Sequence, residues 1–385
     1  MPGAGIPRAL GVGCALLMVL SGLTMMAGAD KSEDKVRVIV LFKEKVDKNM
    51  VEDCGGEITD TYDIIPGVVA EMTQSDIKEL KKNDKIEDVE EDAIAEIQGQ
   101  TTGWGITQIR ANDAWSISKG ANINVAVMDT GIDADHEDLT VVDGVKIIKG
   151  VTTEDVYNDD NGHGTHCAGI IAATNNDLGV VGVAYSASLY AIKVLDSGGS
   201  GYYTDMIKGL DWAISHGVQV VSMSFGGQTS TKAFESACKN AQSKGLVLVA
   251  AAGNGGNAKV LYPAAYSSVI AVGATDSSNA RASWSSYGSQ LDIMAPGVGI
   301  YSTYNDGGYT TLSGTSMACP HVSGTVALVL ATTIPATYDA NKNGKWDPTE
   351  VQNRLQKTAT NLGTAGWDKY TGYGLVNAYA AVGGT

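Results

Sequence analysis

The chain of 385 residues is short of several features, and each shortage excludes something. It has five cysteines. Cys14 falls in an N-terminal apolar run and Cys54 in a segment read below as removable. Cys167, Cys238 and Cys319 then remain, an odd set that offers no disulfide framework. Positive charge is scarce: 27 Lys and Arg stand against 43 Asp and Glu, for a formal charge of −16. Residues 30–99 hold 20 acidic and 10 basic side chains, and residues 100–385 hold 23 and 16, so neither part has the basic patch that nucleic acid requires. Internal repeats and low-complexity tracts are absent. No G-x-G-x-x-G lies between a strand and a helix, which leaves a dinucleotide-binding reading only GNGG and a βα alternation.

What is present describes a folded protein. Hydrophobic residues make up 44% and charged residues 18%, and 47 glycines imply many tight turns. The length suits one large core plus a second unit. After Arg8, residues 9–29 are uncharged and end in Ala27-Gly28-Ala29. This reads as a secretory signal peptide (1–29) with an A-x-A cleavage site, against the alternative of an uncleaved anchor. The expected location is outside the cell, with no membrane attachment once the signal is removed.

Residues 30–99 form the second expected unit. Between 36 and 98 the pattern runs β-α-β-β-α-β, with VRVIVLFK alternating as a strand, Pro66-Gly67 as a turn and Ser75 as the cap of SDIKELKKN. That order suggests a ferredoxin-like module, a generic small α+β domain being the other reading. From about Gln100 to 385 the pattern becomes βα repetition. Near-continuous apolar strands (INVAVMDTG, SLYAIKVL, VQVVSMSF, LVLVAAAGN, VIAVGAT) alternate with helices near 163–174, 203–216 and 231–244. The fold class is α/β, a mostly parallel central sheet flanked by helices, with functional residues expected at the carboxyl ends of strands.

Three loops carry chemistry. Asp129 ends an apolar strand in VAVMDTGID, where a carboxylate is a turn residue or a catalytic group. His163 opens a helix between two glycines in DDNGHGTHCAGIIAA, with His166 a turn later. This is either a metal pair or an imidazole that the glycines leave open to close approach. Ser316 begins TSMACPHVSGTVALVLA, as helix opener, nucleophile or both. A serine hydroxyl becomes nucleophilic only beside an imidazole that takes its proton and a carboxylate that holds that imidazole's tautomer. The acyl-transfer oxyanion needs donors, and Asn254 in VLVAAAGNGG and the amide at the head of the Ser316 helix offer them. Pro320 is expected in the first turns, where the amide it lacks has no intrahelical partner.

The order Asp, His, Ser in DTG, HGTH and GTSMA resembles the subtilisin-like serine proteases, or subtilases, over roughly residues 35–380, with an inhibitor-type propeptide before Gln100. The resemblance implies a serine endopeptidase that autoprocesses from a zymogen. Asp129 would orient the imidazole, His163 would act as base and then acid, Ser316 would form the acyl-enzyme, and Asn254 would bind the oxyanion. Protein and peptide substrates would lie as an extended strand between Gly199-Ser200-Gly201 and Ser224-Phe225-Gly226, with broad specificity. Phe225 stands where many relatives have leucine, and the stretch after Asn254 is short. Cys167 is placed as in thiol-containing members, Cys319 stands where threonine is usual, and both read as small buried hydrophobes. The propeptide would template folding and then inhibit the mature enzyme, which is expected to be a monomer.

Two calcium sites are expected. Residues 339–350, DANKNGKWDPTE, fit D-x-[DN]-x-[DN]-G-x5-E, with ligands Asp339, Asn341, Asn343, the Lys345 carbonyl, Asp347 and Glu350. Asp347-Pro348-Thr349-Glu350 also reads as a capping box. The second site rests on the resemblance: Gln100, Asp138 and Asn176 with the carbonyls of Thr174, Leu178 and Val180.

Overall fold

The structure, a computed structural model, describes residues 34–92 and 99–385. The expected signal peptide, and residues 97 and 98 of the processing site expected around Ile97 to Gln100, lie outside the described residues. The chain divides into two compact units between Glu96 and Ile97.

In the first unit β1 (Val36–Phe42), α1 (Lys48–Asp53), β2 (Glu57–Thr61), β3 (Gly67–Met72), α2 (Gln74–Leu80) and β4 (Ile86–Glu91) follow the expected β-α-β-β-α-β order. The sheet order β2-β3-β1-β4, antiparallel throughout, is that of the ferredoxin-like module. Alternation in β1 turns Val38, Val40 and Phe42 inward, where they join Val51 of α1 and Ile77 and Leu80 of α2 in one core. The α2 cap differs from expectation. Thr73 is the N-cap and accepts from the Asp76 amide at 3.2 Å, so the helix begins before Ser75 and takes it into its first turn.

The second unit begins with α3 (Trp104–Gln108), α4 (Ala111–Ala114), β5 (Asn124–Asp129), the hairpin β6 (Val141–Ile148) and β7 (Val151–Glu154), and α5 (His163–Ala172). It continues through β8 (Ser188–Lys193), α6 (Tyr203–Ser215), β9 (Val220–Met223), α7 (Lys232–Ser243), β10 (Val247–Ala251), β11 (Ile270–Thr275) and β12 (Ile293–Pro296). A second hairpin, β13 (Ile300–Tyr304) and β14 (Gly308–Leu312), leads into α8 (Thr315–Leu330), α9 (Pro348–Thr358) and α10 (Ala378–Ala381). The sheet order is β12-β11-β10-β9-β5-β8-β6-β7, parallel except for the β6–β7 edge pair. One face is covered by α5 and α8 and the other by α6 and α7, each with its own apolar core. Central strands such as β10, buried at every residue, read as continuous apolar runs because both faces are covered.

The place of Pro320 in α8 differs from expectation. The N-cap is Gly314, so Pro320 lies beyond the first turn, and an amide there would have bonded to the Ser316 carbonyl. With that amide missing, the Ser316 carbonyl accepts instead from Ser224 Oγ at 2.8 Å and Cys167 Sγ at 3.5 Å. The proline thus ties the head of α8 to its neighbours.

Candidate active site

One strand end and two helix starts carry the expected residues. Asp129 is the last residue of β5 and fully buried, His163 is the first of α5, and Ser316 is the second of α8. His163 Nδ1 donates to Asp129 Oδ1 at 2.7 Å, and the same oxygen accepts from the Thr130 amide at 2.8 Å. That bond fixes the tautomer with Nε2 free as an acceptor. Burial lowers the affinity of His163 for a proton, but the charge and hydrogen bond of Asp129, with Asp159 adding to them, outweigh it and raise its pKa above the ordinary 6.5.

Asp159 holds the start of α5. One of its oxygens accepts from the Asn161 and Gly162 amides, each at 3.0 Å, and the other from the Thr165 amide and hydroxyl at 2.9 and 2.7 Å. The glycines beside His163 serve close packing. A Cβ on Gly164 would stand 2.1 Å from the Gly131 carbonyl oxygen, and Gly162 has φ +101° with the Tyr304 ring against it.

Ser316 Oγ donates to the Ser224 carbonyl at 2.9 Å, and among the described residues no hydrogen bond joins it to His163. Asn254 accepts at Oδ1 from the Thr315 amide and hydroxyl, both at 2.9 Å, so its NH₂ group faces outward without a partner. The Ser316 amide likewise makes no hydrogen bond among the described residues. Two donors are therefore left at the head of α8, where the helix dipole adds to them. Thr130, Asp159 and Thr315 hold these groups in place and were not singled out from the sequence. Their signal was adjacency, since each lies in a motif already quoted for its neighbour.

Cys167, Cys238 and Cys319 are buried free thiols. Burial pushes Cys319 up to about 11 and Cys238 to about 12, and raises Cys167 far above the ordinary range. The ligand-type atoms of Cys167, Asp129 and His163 lie within 4.8 Å of one another, so this thiol adjoins the pair. A cleft of about 450 Å³ separates the two expected substrate segments, its walls including Gly199, Ser200, Gly201, Tyr203, Phe225 and Gly226. The exposed Gly201 and Gly226 amides have no partners among the described residues, whereas Ser224 is buried and turned onto Ser316.

Around Asp138 the oxygen atoms outnumber the protons available to them. The Gln100 amide nitrogen is surrounded by Thr174 O at 2.6 Å, Val180 O at 3.0 Å, Leu178 O at 3.1 Å and Asn176 Oδ1 at 3.3 Å. Asp138 Oδ2 accepts from the Val180 amide at 2.9 Å and the Tyr309 hydroxyl at 3.3 Å, while its buried Oδ1 has no partner. Burial raises the Asp138 pKa despite these bonds.

The loop at 339–350 is satisfied internally. Asp339 accepts from the Asn343 and Gly344 amides at 2.9 and 3.1 Å, Asn343 from the Lys345 amide at 2.7 Å, and Asn341 from the Asn343 amide at 2.9 Å. Glu350 accepts from the Ala340 amide at 2.8 Å and reaches back to the Asp347 amide at 2.9 Å, as in a capping box.

A parallel sheet with a buried carboxylate bonded to an imidazole, a serine heading the neighbouring helix and an exposed amide beside it defines the serine hydrolase class. Residues 120–374 match the model of the subtilase family, and the chain belongs to that family. It is 44% identical over 376 residues to subtilisin NAT of Bacillus subtilis subsp. natto, covering 94% of each chain. It is 39% identical over 381 residues to an alkaline protease of Shouchella clausii, covering 95% of this chain and 96% of that protein. It is 48% identical over 287 residues to subtilisin DY of Bacillus licheniformis, covering 73% of this chain and 99% of that one. The protein is a subtilisin-like serine endopeptidase, secreted and made as a zymogen.

Proposed function

We propose that Asp129, His163, Ser316 and Asn254 carry out peptide hydrolysis in this chain through an acyl-enzyme. The supporting observation is the 2.7 Å bond between His163 and Asp129 beside two unpartnered donors at Ser316. The Ser316 hydroxyl turns from the Ser224 carbonyl to His163 Nε2 and gives up its proton as Oγ adds to the scissile carbonyl. Charge developing on the carbonyl oxygen is met by the Asn254 NH₂ and the Ser316 amide. His163 then protonates the leaving amine, the C–N bond breaks, and water repeats the sequence on the ester. Since His163 must start neutral, activity rises with pH through its raised pKa.

Substrate would pair its main chain with the free edges at Gly201 and Gly226, which reads no side chain and accounts for broad specificity. Tyr203, Met206 and Phe225 in the cleft wall favour an apolar side chain on the acyl side. Incubation with casein and with a serine-directed phosphonate tests the assignment. Peptide release with the label on Ser316 is expected, and a label elsewhere would refute it.

The residues around Asp138 fit calcium, a hard cation that takes six to eight oxygens. Gln100, Asp138, Asn176 and the Thr174, Leu178 and Val180 carbonyls would hold it, neutralising an otherwise unpaired buried oxygen. The ion would fasten surface loops against autolysis. Asp339, Asn341, Asn343, Lys345, Asp347 and Glu350 would form a second, weaker site. Residues 1–29 are assigned as signal peptide and 30–99 as propeptide, chaperone for a sheet of high contact order and then inhibitor, with 100–385 as the mature, monomeric enzyme. Such a division agrees in length with the relatives: subtilisin DY is matched over 99% of its length by 73% of this chain, whereas subtilisin NAT matches 94% of it.

A further inference from the structure

Lys193 ends β8 in register with Asp129 on β5, and its side chain is only 6% exposed. Its ammonium donates to the Thr130 carbonyl, to Asp160 Oδ1 at 2.7 Å and to the Leu195 carbonyl at 3.2 Å. Three protons thus meet three acceptors from three segments: the loop after β5, the loop leading to α5, and the loop after β8. A buried ion pair is weak evidence of stabilisation, because a packed apolar side chain often serves as well. Thr130 shows what the charge accomplishes. Its amide donates to Asp129 Oδ1 at 2.8 Å, and its hydroxyl accepts from the Gly164 amide at 2.9 Å, in the first turn of the helix that carries His163.

We propose that Lys193 is a positioning residue for the catalytic pair: by clamping Thr130 to the approach to α5 it sets how Asp129 meets His163, and its charge offsets the carboxylates crowding the imidazole. The groups facing His163 are Asp129 from β5, Asp159 from the loop before α5, and His166 and Cys167 from α5. His166 is neutral near pH 7, since burial pushes its pKa down to about 4, and the Cys167 thiol is protonated. Ser316 and Ser224 bring no charge. Lys193 on β8, itself paired with Asp160, adds a positive charge beside these carboxylates, and removing it should make the imidazolium easier to form.

The test is Lys193→Met in the full chain, with the matured enzyme titrated by phosphonate and assayed on a chromogenic peptide anilide across pH. The expected result is a kcat lower by roughly thirtyfold, because small misplacements of reacting groups cost up to about a hundredfold. KM should stay within about threefold, and the acid limb of kcat/KM should move to higher pH. Asp160→Asn provides the opposite arm. It removes a negative charge and leaves the ammonium less compensated, so the acid limb should move to lower pH; because it also weakens the clamp, kcat should fall, though by less than in Lys193→Met.

A Lys193→Met enzyme with unchanged kcat and acid limb overturns the proposal. If that variant does not mature, Asp160→Asn decides alone, and an unmoved limb there overturns it equally. The inference rests on the triad reading, and labelling keeps the two apart: parent enzyme unlabelled at Ser316 sinks the triad, whereas labelled enzyme with unmoved limbs sinks only Lys193.

Discussion

The oxygens around Asp138 and those of the loop at 339–350 look alike in composition and differ in how they are satisfied. Around Asp138 four acceptors crowd one amide nitrogen and a buried carboxylate oxygen has no partner. In the loop the side-chain oxygens are turned back onto the loop's own amides. An unpaired buried acceptor costs about 1–3 kcal/mol, more if charged, so the first arrangement persists only where something else compensates it. The second leaves no buried oxygen unpaired among the described residues. A chelating pattern in sequence and an electrostatic need in the fold are separate things, and only around Asp138 is the need visible.

The strongest intervention stops self-digestion, which otherwise obscures any comparison of the two places. Ser316→Ala should lower peptidase activity by more than about a thousandfold and leave the precursor uncleaved around Ile97 to Gln100. Gel mobility and N-terminal sequencing check this, and normal processing in the absence of another protease would show that a different group cleaves.

In that inactive background, Asp138→Asn sharpens the comparison most. A ligand at a hundredfold excess over its Kd stabilises by about 2.7 kcal/mol. The substitution should abolish most of the calcium-dependent rise in thermal midpoint, while Asp339→Asn should keep most of it. Calorimetry with calcium and with chelator reads both. Equal losses from the two variants would erase the distinction.

The proposed catalytic residues stood out because such chemistry demands particular types at the end of a strand and the start of helices: a carboxylate closing β5, a histidine opening α5, a serine opening α8. The order of elements was legible too, since buried parallel strands must be continuous apolar runs. Pairings that depend on geometry were not legible. Nothing in TSMACPHVSG says that the missing amide of Pro320 frees the Ser316 carbonyl for Ser224 and Cys167, or that Ser316 rests on Ser224 rather than His163. Strands β6, β7 and β12–β14 escaped the pattern because edge and hairpin strands lack a continuous apolar run. The cap of α2 moved from Ser75 to Thr73 because either hydroxyl suits a cap and only backbone geometry chooses.

Acid should separate the two places by a smaller margin. His166 Nε2 donates to the Ile300 and Thr310 carbonyls of the β13–β14 hairpin, whose Tyr309 bonds to Asp138. Burial pushes His166 and His321 down to about 4 from the usual 6.5, so the unfolded chain binds protons that the folded chain refuses. Their stability contribution is complete above pH 6.5 and declines as pH falls towards 4, by at most about 3 kcal/mol for each group. His163 acts with the opposite sign, its raised pKa contributing stability that is lost as pH rises through that value. Hydrogen exchange at pH 4.5 should show the hairpin at 300–312 losing protection while the loop at 339–350 changes little. Protection lost equally in both would place the acid sensitivity elsewhere.

The smallest effect concerns Glu350, where two roles for one side chain make different predictions. As a cap it satisfies the Ala340 and Asp347 amides whether or not calcium is present, and losing a cap typically costs about 1 kcal/mol. As the last ligand of a chelating loop it would matter only when the ion is bound. Glu350→Ala in the Ser316→Ala background should therefore lose about 1 kcal/mol in chelator and somewhat more in millimolar calcium, the difference measuring the loop's affinity. Because α9 is anchored to the sheet through Gln352 and Gln356 on Asp292, the capping loss should stay local and leave the core transition cooperative. If the loss is identical in the two solutions, Glu350 is a cap alone and the loop binds no ion that matters to folding.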